Sequence, residues 1–387
     1  MAVFAVTVCS VFTTTTLSSG YRKCNKTLKM NEYRLAMRYY ISHLLLSLLC
    51  IVAIISCEQL PGEASVSELP AMYNDYLDKR IEAVKDVIKE TDGNYECFFW
   101  ITDIHWEPDL NTRNAPAMIK YMAERTGIDK ILNGGDTGNA DVVVDNAISR
   151  LRDAIGSDRV YTVTGNHEIT DASKYERPFR RVDSSLRGHC RDLVYGDADR
   201  SYFYFDDSAR RMRYIGLSVF DVYKNGGCSS ALNAEQLAWF KDVALNVSEG
   251  WSIVVFAHTM YVMDEGTDKL RTAPSGADRF VQAIDAYNGK GEITCVLLGH
   301  THRDRMHVGE SGVPYIVSGC DRVSPYHGDI NVSRVVGTLS EQHFEVVVID
   351  KTHKKVRLLS IGAPARDGMD DDPGELTDER VISYEKR

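Results

Sequence analysis

Several protein classes are excluded by what this 387-residue chain does not contain. None of its nine cysteines falls at CxxC spacing, so no thiolate-built structural zinc module is encoded. No internal repeat and no low-complexity block beyond the short run Thr13 to Thr16 is visible, which excludes solenoid and array architectures. Positive charge is scarce: 45 lysines and arginines stand against 55 aspartates and glutamates, a formal net charge of -10, and no basic run is present. An acidic surface repels a phosphate backbone. General nucleic-acid binding is therefore disfavoured unless a local basic or metal-bearing cleft overcomes the repulsion.

Long hydrophobic runs are missing too, with one exception. From Ile41 to Ile55 the chain is almost uncharged. The run has the length of a signal-peptide core and falls short of the ~20 residues that span a bilayer. This predicts an export signal. It closes on Ser56 and Cys57, which resembles the lipobox of bacterial lipoproteins. That resemblance implies lipidation of Cys57, loss of everything before it, and residence in the bacterial cell envelope. An uncleaved membrane anchor is the competing reading. Removing the leader takes away six basic residues and one acidic one, so the mature chain is more acidic still. Of the cysteines that remain, Cys97, Cys295 and Cys320 lie in apolar, strand-like runs and read as small buried hydrophobes. Cys190 and Cys228 lie in polar surroundings, where an exported protein can join them in a disulfide.

Past the leader, helical and strand-like patterns alternate. The segments "CFFWITDIH", "KILNGGD", "VYTVTGNHE", "WSIVVFAHT" and "ITCVLLGHTH" read as strands, with amphipathic helical patterns between several of them. The early half is βαβ-like and the late part has hairpin-like strands. The fold expected is α/β, a two-sheet β-sandwich with helices outside. The chain divides into an upstream segment and export signal (1–57), a linker and leading helix (58–90), one catalytic-sized domain (91–362) and an acidic tail (363–387), read as solvated. Residues 169–200 form a long, basic, loop-rich insertion, and with "HTMYVMD" they are the expected surroundings of a substrate pocket.

What is present at the strand ends matters most. Five strand-like segments finish in metal-capable side chains: Asp103 and His105, Asp136, Asn166 and His167, His258, and His300 with His302. Ligands in open α/β sheets collect outside the carboxyl ends of strands, so these residues are expected to converge. If the strands continue through them, alternation places Asp103 beside His105, and likewise His300 beside His302. Mixed carboxylate, imidazole and amide-oxygen donors suit Mn, Fe, Zn or a similar divalent ion. Seven candidates are too many for one catalytic ion and suit two. Such a pair, about 3.5 to 4 Å apart, can hold a bridging hydroxide as nucleophile and neutralise phosphoryl oxygens. His167 neighbours Asn166, points elsewhere, and is left as acid toward the leaving oxygen.

The ordered set "DIH", "GGD", "GNHE", "FAH" and "GHTH" resembles that of the calcineurin-like metallophosphoesterases and covers residues 97 to 302. The resemblance implies that Asp103, His105 and His302 hold one metal, that Asn166, His258 and His300 hold the other, and that Asp136 bridges them. It implies His167 as the acid and hydrolysis of phosphate mono- or diesters, a small phosphate ester being the expected partner, while the organic group stays open. After Asp136 the chain reads "TGNA", where the protein-phosphatase branch carries an aspartate and an arginine, which argues against protein serine/threonine phosphatase activity. Glu168 reads as outer support. Two rivals stand beside the hydrolase: a nuclease using the same site, disfavoured by the acidic charge, and a non-catalytic envelope binding protein on the same fold. The sequons at Asn246 and Asn331 matter only in a eukaryotic secretory pathway.

Overall fold

The computed structural model describes residues 69, 71–106, 114–138, 141–167, 202–222, 228–230, 232–263, 270–321, 338–364 and 376–385. The chain divides into two compact units, Met1–Ser65 and Val66–Arg387, and all described residues belong to the second. The segment expected to be an export signal with Cys57, Glu168, the 169–200 insertion with Cys190, Asn331 and the acidic triplet of the tail lie outside the described residues. Among the described residues no helix is long and apolar enough to cross a membrane.

Two six-stranded sheets carry the structure. The first is built from β1 (Tyr95–Ile101), β2 (Ile131–Asn133), β3 (Val160–Thr162), β14 (His343–Asp350), β15 (Lys355–Gly362) and β16 (Glu379–Ser383), in the order β16-β15-β14-β1-β2-β3. The second uses β4 (Phe203–Asp207), β5 (Met212–Leu217), β8 (Ser252–Ala257), β11 (Glu292–Leu298), β12 (Arg305–Val308) and β13 (Pro314–Val317), in the order β12-β13-β11-β8-β5-β4. Within each sheet the central strands are parallel, β1-β2-β3 in one and β5-β8-β11-β13 in the other. Short pairs β6 (Phe220–Val222) with β7 (Cys228–Ser230), and β9 (Tyr261–Met263) with β10 (Leu270–Thr272), lie apart from both sheets.

Strand sequence explains the layering. A strand covered on both faces reads as a continuous apolar run, because alternate residues each meet a core. In β1, Phe98 and Trp100 enter the layer between the sheets, whereas Phe99 and Ile101 join the helix-covered outer layer. In β8, Val254 and Phe256 face inward while Ile253, Val255 and Ala257 face the helices of the second sheet. Full burial of each such valine, isoleucine or phenylalanine contributes roughly 1.5–3 kcal/mol. Helices α1 (Ala71–Lys89), α2 (Asn114–Thr126) and α3 (Asp141–Ile155) cover the first sheet. The second is covered by α4 (Ala234–Trp239), continued by a π-helical turn over Phe240–Ala244, and by α5 (Ala277–Asp285). Asn233 caps α4, its side chain accepting from the Gln236 N–H at 2.8 Å.

The tail differs from the solvated segment expected. Residues Glu379–Ser383 form β16, pairing antiparallel with β15 from Leu359↔Glu379 to Lys355↔Ser383. Arg380 and Tyr384 are 4% and 2% exposed, with Ile382 also packed on the inter-sheet core. The alternation Arg380, Ile382, Tyr384 carries the strand, and the surrounding acids and lysines hide it in the sequence. Cys295 and Cys320 are buried and Cys97 is partly so.

Candidate metal centre

Parallel strands put their carboxyl ends at one edge, and there the five loops meet. Asp103 and His105 follow β1, Asp136 follows β2, Asn166 and His167 follow β3, His258 follows β8, and His300 and His302 follow β11. Strand alternation is not what orients them. The strands stop first, at Ile101 and Leu298, and Asp103, His105, Asp136, His300 and His302 all take left-handed backbone with φ between 45° and 71°. Such backbone at a residue with a Cβ costs about 1–3 kcal/mol and persists only where its surroundings enforce it. The consequence is that His300 and His302 part company, each entering a different group.

Among the described residues three overlapping groups form here. Asp103, His105 and His302 make one; Asp136, His258 and His300 make another; His105, Asp136 and His167 link them, and in each the ligand atoms lie within 4.8 Å of one another. In the first, His105 Nε2 and His302 Nε2 are 3.1 Å apart, and His302 Nε2 is 3.2 Å from Asp103 Oδ1. In the second, His258 Nε2 lies 3.0 Å from Asn166 Oδ1, 3.1 Å from His300 Nδ1 and 3.3 Å from Asp136 Oδ2. His258 Nδ1–H donates to the Gly134 carbonyl at 2.9 Å, which aims Nε2 at the group. His167 sits at the mouth. Its backbone N–H donates to Asp136 Oδ1 at 2.8 Å and its ring packs edge-on against His105. Its side chain is 30% exposed where that of Asp136 is 2% exposed.

Local sequence makes the approach possible. A Cβ on Gly165 would lie 2.1 Å from Asp136 Oδ1, and one on Gly299 would lie 2.4 Å from Asp103 Oδ2. The glycines that precede Asn166 and His300 therefore let their loops close on the two carboxylates.

The electrostatics favour a bound cation. Burial pushes the His105 imidazole down to about 3, and burial together with the charge on His258 pushes His300 down to about 4. His258 goes the other way, to about 10: burial opposes its charge, but Asp136 and Asp103 prevail. Burial works against both carboxylates, yet the neighbouring imidazoles, His258 foremost, hold them below the usual range. Asp103 Oδ1 is buried with no hydrogen bond. One His258 proton thus faces three acceptors, and a buried carboxylate oxygen of Asp103 faces His302 Nε2 at 3.2 Å. These residues fit divalent cations of the borderline type that accept N and O donors.

A fourth group, Asp304, His343 and Glu345, lies just beyond His302 and is buried. It carries its own cation. Arg380 from β16 pairs with Glu345 and lies 3.4 Å from Asp304 Oδ1, and it donates to the Val317 carbonyl at 3.0 Å. Sequence reading missed this group and also the residues that set the loops. Asn133 donates to Thr137 Oγ1 at 2.8 Å and accepts from the Gly135 N–H at 3.2 Å, shaping the turn that presents Asp136. The only signal for them was a polar residue closing an apolar strand.

Comparison with known proteins defines the class. The family model for calcineurin-like phosphoesterases matches residues 98–304, more than half of the chain. This chain belongs to the calcineurin-like phosphoesterase family. Among solved structures it is similar to a dimetal phosphatase from Danio rerio, at 14% identity, covering 75% of this chain and 99% of that one, TM-score 0.49. It is also similar to a purple acid phosphatase from yellow lupin (Lupinus luteus) seeds, at 15% identity, covering 75% and 54%, TM-score 0.47. A 5'-nucleotidase from Candida albicans matches at 19% identity over 58% and 45%, TM-score 0.39. No curated protein matches the sequence.

Proposed function

We propose that this chain is a dinuclear metal-dependent hydrolase of small phosphate esters. The observation that carries the reading is the convergence of two donor groups on either side of Asp136, with His167 at their open edge. Asp103, His105 and His302 would hold one divalent ion, Asn166, His258 and His300 the other, and Asp136 would touch both. Bound there, the ions would activate water as nucleophile and neutralise the phosphoryl oxygens. The chain's own work is then positional and acid–base. Gly134 fixes the His258 tautomer, the buried carboxylates keep the donors in place, and His167, held by its N–H on Asp136, gives its ring proton to the departing alcohol.

The test is hydrolysis of p-nitrophenyl phosphate and bis-p-nitrophenyl phosphate by the purified, manganese-loaded chain, beside Asp136→Ala and His167→Ala. One ester should turn over, which fixes mono- or diesterase, and Asp136→Ala should abolish it. His167→Ala should cost about 10²–10⁴-fold on an alkyl phosphate. On p-nitrophenyl phosphate it should cost much less, because that leaving group departs without a proton. Equal losses on both esters would remove His167 from the acid role; absence of turnover and of metal would favour the binding-protein rival. We further propose export and lipid anchoring through Cys57. Incorporation of labelled palmitate that Cys57→Ala abolishes is the expected result, and label retained in that variant would exclude it.

A further inference from the structure

We infer that Thr102 is a positioning residue that reserves one oxygen of Asp103 for a bound cation; the inference rests on the metal-binding reading of this site. Thr102 closes an apolar strand end and is 1% exposed. For packing alone, valine would have the same shape. The hydroxyl has a specific use: it donates to Asp103 Oδ2 at 2.7 Å, and the His300 backbone N–H donates to the same oxygen at 2.9 Å. Two donors from two loops, one on each sheet, occupy Oδ2 and fix the carboxylate plane. Oδ1 is left buried, without a hydrogen bond, 3.2 Å from His302 Nε2.

The surrounding backbone is built around this contact. A Cβ on Gly299 would stand 2.1 Å from Thr102 Oγ1, so glycine there lets the β11 loop settle onto the hydroxyl. The Asp321 N–H holds the Thr102 carbonyl at 3.1 Å from the other side. With the hydroxyl gone, the carboxylate keeps a single donor and can turn about its Cβ–Cγ bond. Oδ1 would then be presented to the cation for only part of the time. Outer partners of this kind are worth roughly 10–100-fold in metal affinity.

The experiment compares the full chain with Thr102→Val and Thr102→Ser. Manganese uptake is titrated by calorimetry and by the electron paramagnetic resonance of bound Mn²⁺, and turnover is followed as a function of manganese. Thr102→Val should need about 10–100-fold more manganese for half-saturation, with kcat recovering once the metal saturates. Thr102→Ser, which keeps the donor, should follow the parent curve. If the valine variant does not fold, Thr102→Ala takes its place against the same serine control. Unchanged affinity in the hydroxyl-free variant, or equal loss in the serine variant, overturns the assignment of Thr102 alone. A parent chain that takes up no manganese overturns the metal-binding reading with it.

Discussion

Two clusters of buried charge adjoin in this molecule and are neutralised in different ways. Around Asp304 and Glu345 the compensating cation is covalent: Arg380, itself 4% exposed, reaches from the edge strand β16 across to the end of β13. Burial works against its charge, but Glu345 and Asp304 outweigh that and raise its pKa. Around Asp103 and Asp136 the facing groups are imidazoles, and two of them, His105 and His300, are driven toward neutrality by burial. The first cluster is closed within the fold. The second offers more lone pairs than protons, on loops held in left-handed backbone. The difference separates two ways of neutralising buried acid. Asp304 and Glu345 face an arginine of the same chain. Asp103 and Asp136 face imidazoles of which His258 keeps its charge and His105 and His300 lose theirs to burial, a donor set that fits a divalent cation.

The largest effect that tests this contrast is removal of the built-in cation. Arg380→Met leaves Asp304 and Glu345 buried without their partner, which costs about 3–5 kcal/mol. Urea unfolding of the metal-free chain should show that loss, and added manganese should not restore it selectively in the variant. A loss below about 1 kcal/mol would mean that water or proton uptake neutralises the cluster, and the contrast would fail on its closed side.

A smaller effect sharpens the open side. Manganese at a hundred times its dissociation constant should stabilise the chain by about 2.7 kcal/mol. The pH dependence of the metal-free protein carries two opposite slopes. His105 and His300 fall to about 3 and about 4 in the folded state, so the unfolded chain binds more protons from about pH 4 up to about 6.5. Stability on their account drops as pH falls through that window. His258 rises to about 10, so its contribution is full below about pH 6.5 and is lost as pH climbs toward 10. Since a ligating imidazole must shed its proton, manganese loading at pH 8 should release about one proton, from His258. Calorimetry in two buffers of different ionisation enthalpy measures it. Uptake without release would place His258 outside the coordination set.

Much of this was legible from residue types at strand ends. The five motifs name the residues that meet, since a strand's apolar run followed by Gly and a polar donor marks both the end of the sheet and the approach of a neighbour. How they meet was not legible. Alternation suggests that His300 and His302 share a face, whereas the strand ends at Leu298 and the left-handed turns send them to separate groups. Arg380 was hidden for another reason: its strand has a short alternating pattern amid charges, and its place is set by the edge of β15, from which the acidic stretch of the tail separates it in sequence. Thr102 and Asn133 act through hydrogen bonds to neighbours, and a lone threonine or asparagine carries no spacing that predicts such a bond.

The finest test sets one hydroxyl from each cluster against the other. Ser318 Oγ donates to Glu345 Oε2 at 2.6 Å and accepts from Trp100 Nε1 at 2.9 Å, while Thr102 donates to Asp103 Oδ2. Both serve a fully buried carboxylate, so burial is matched, while Ser318 also accepts from Arg380 Nη2 at 3.3 Å and so belongs to the closed cluster. Ser318→Ala strands the indole N–H and one lone pair of Glu345, which should cost about 1–3 kcal/mol of folding free energy. Its half-saturating manganese concentration should not move. Thr102→Val should do the reverse, because on the proposed reading its carboxylate is completed by a bound ion. If the two variants lose stability and metal affinity in the same proportion, the clusters form one network through Asp304, and the line drawn between closed and open charge disappears.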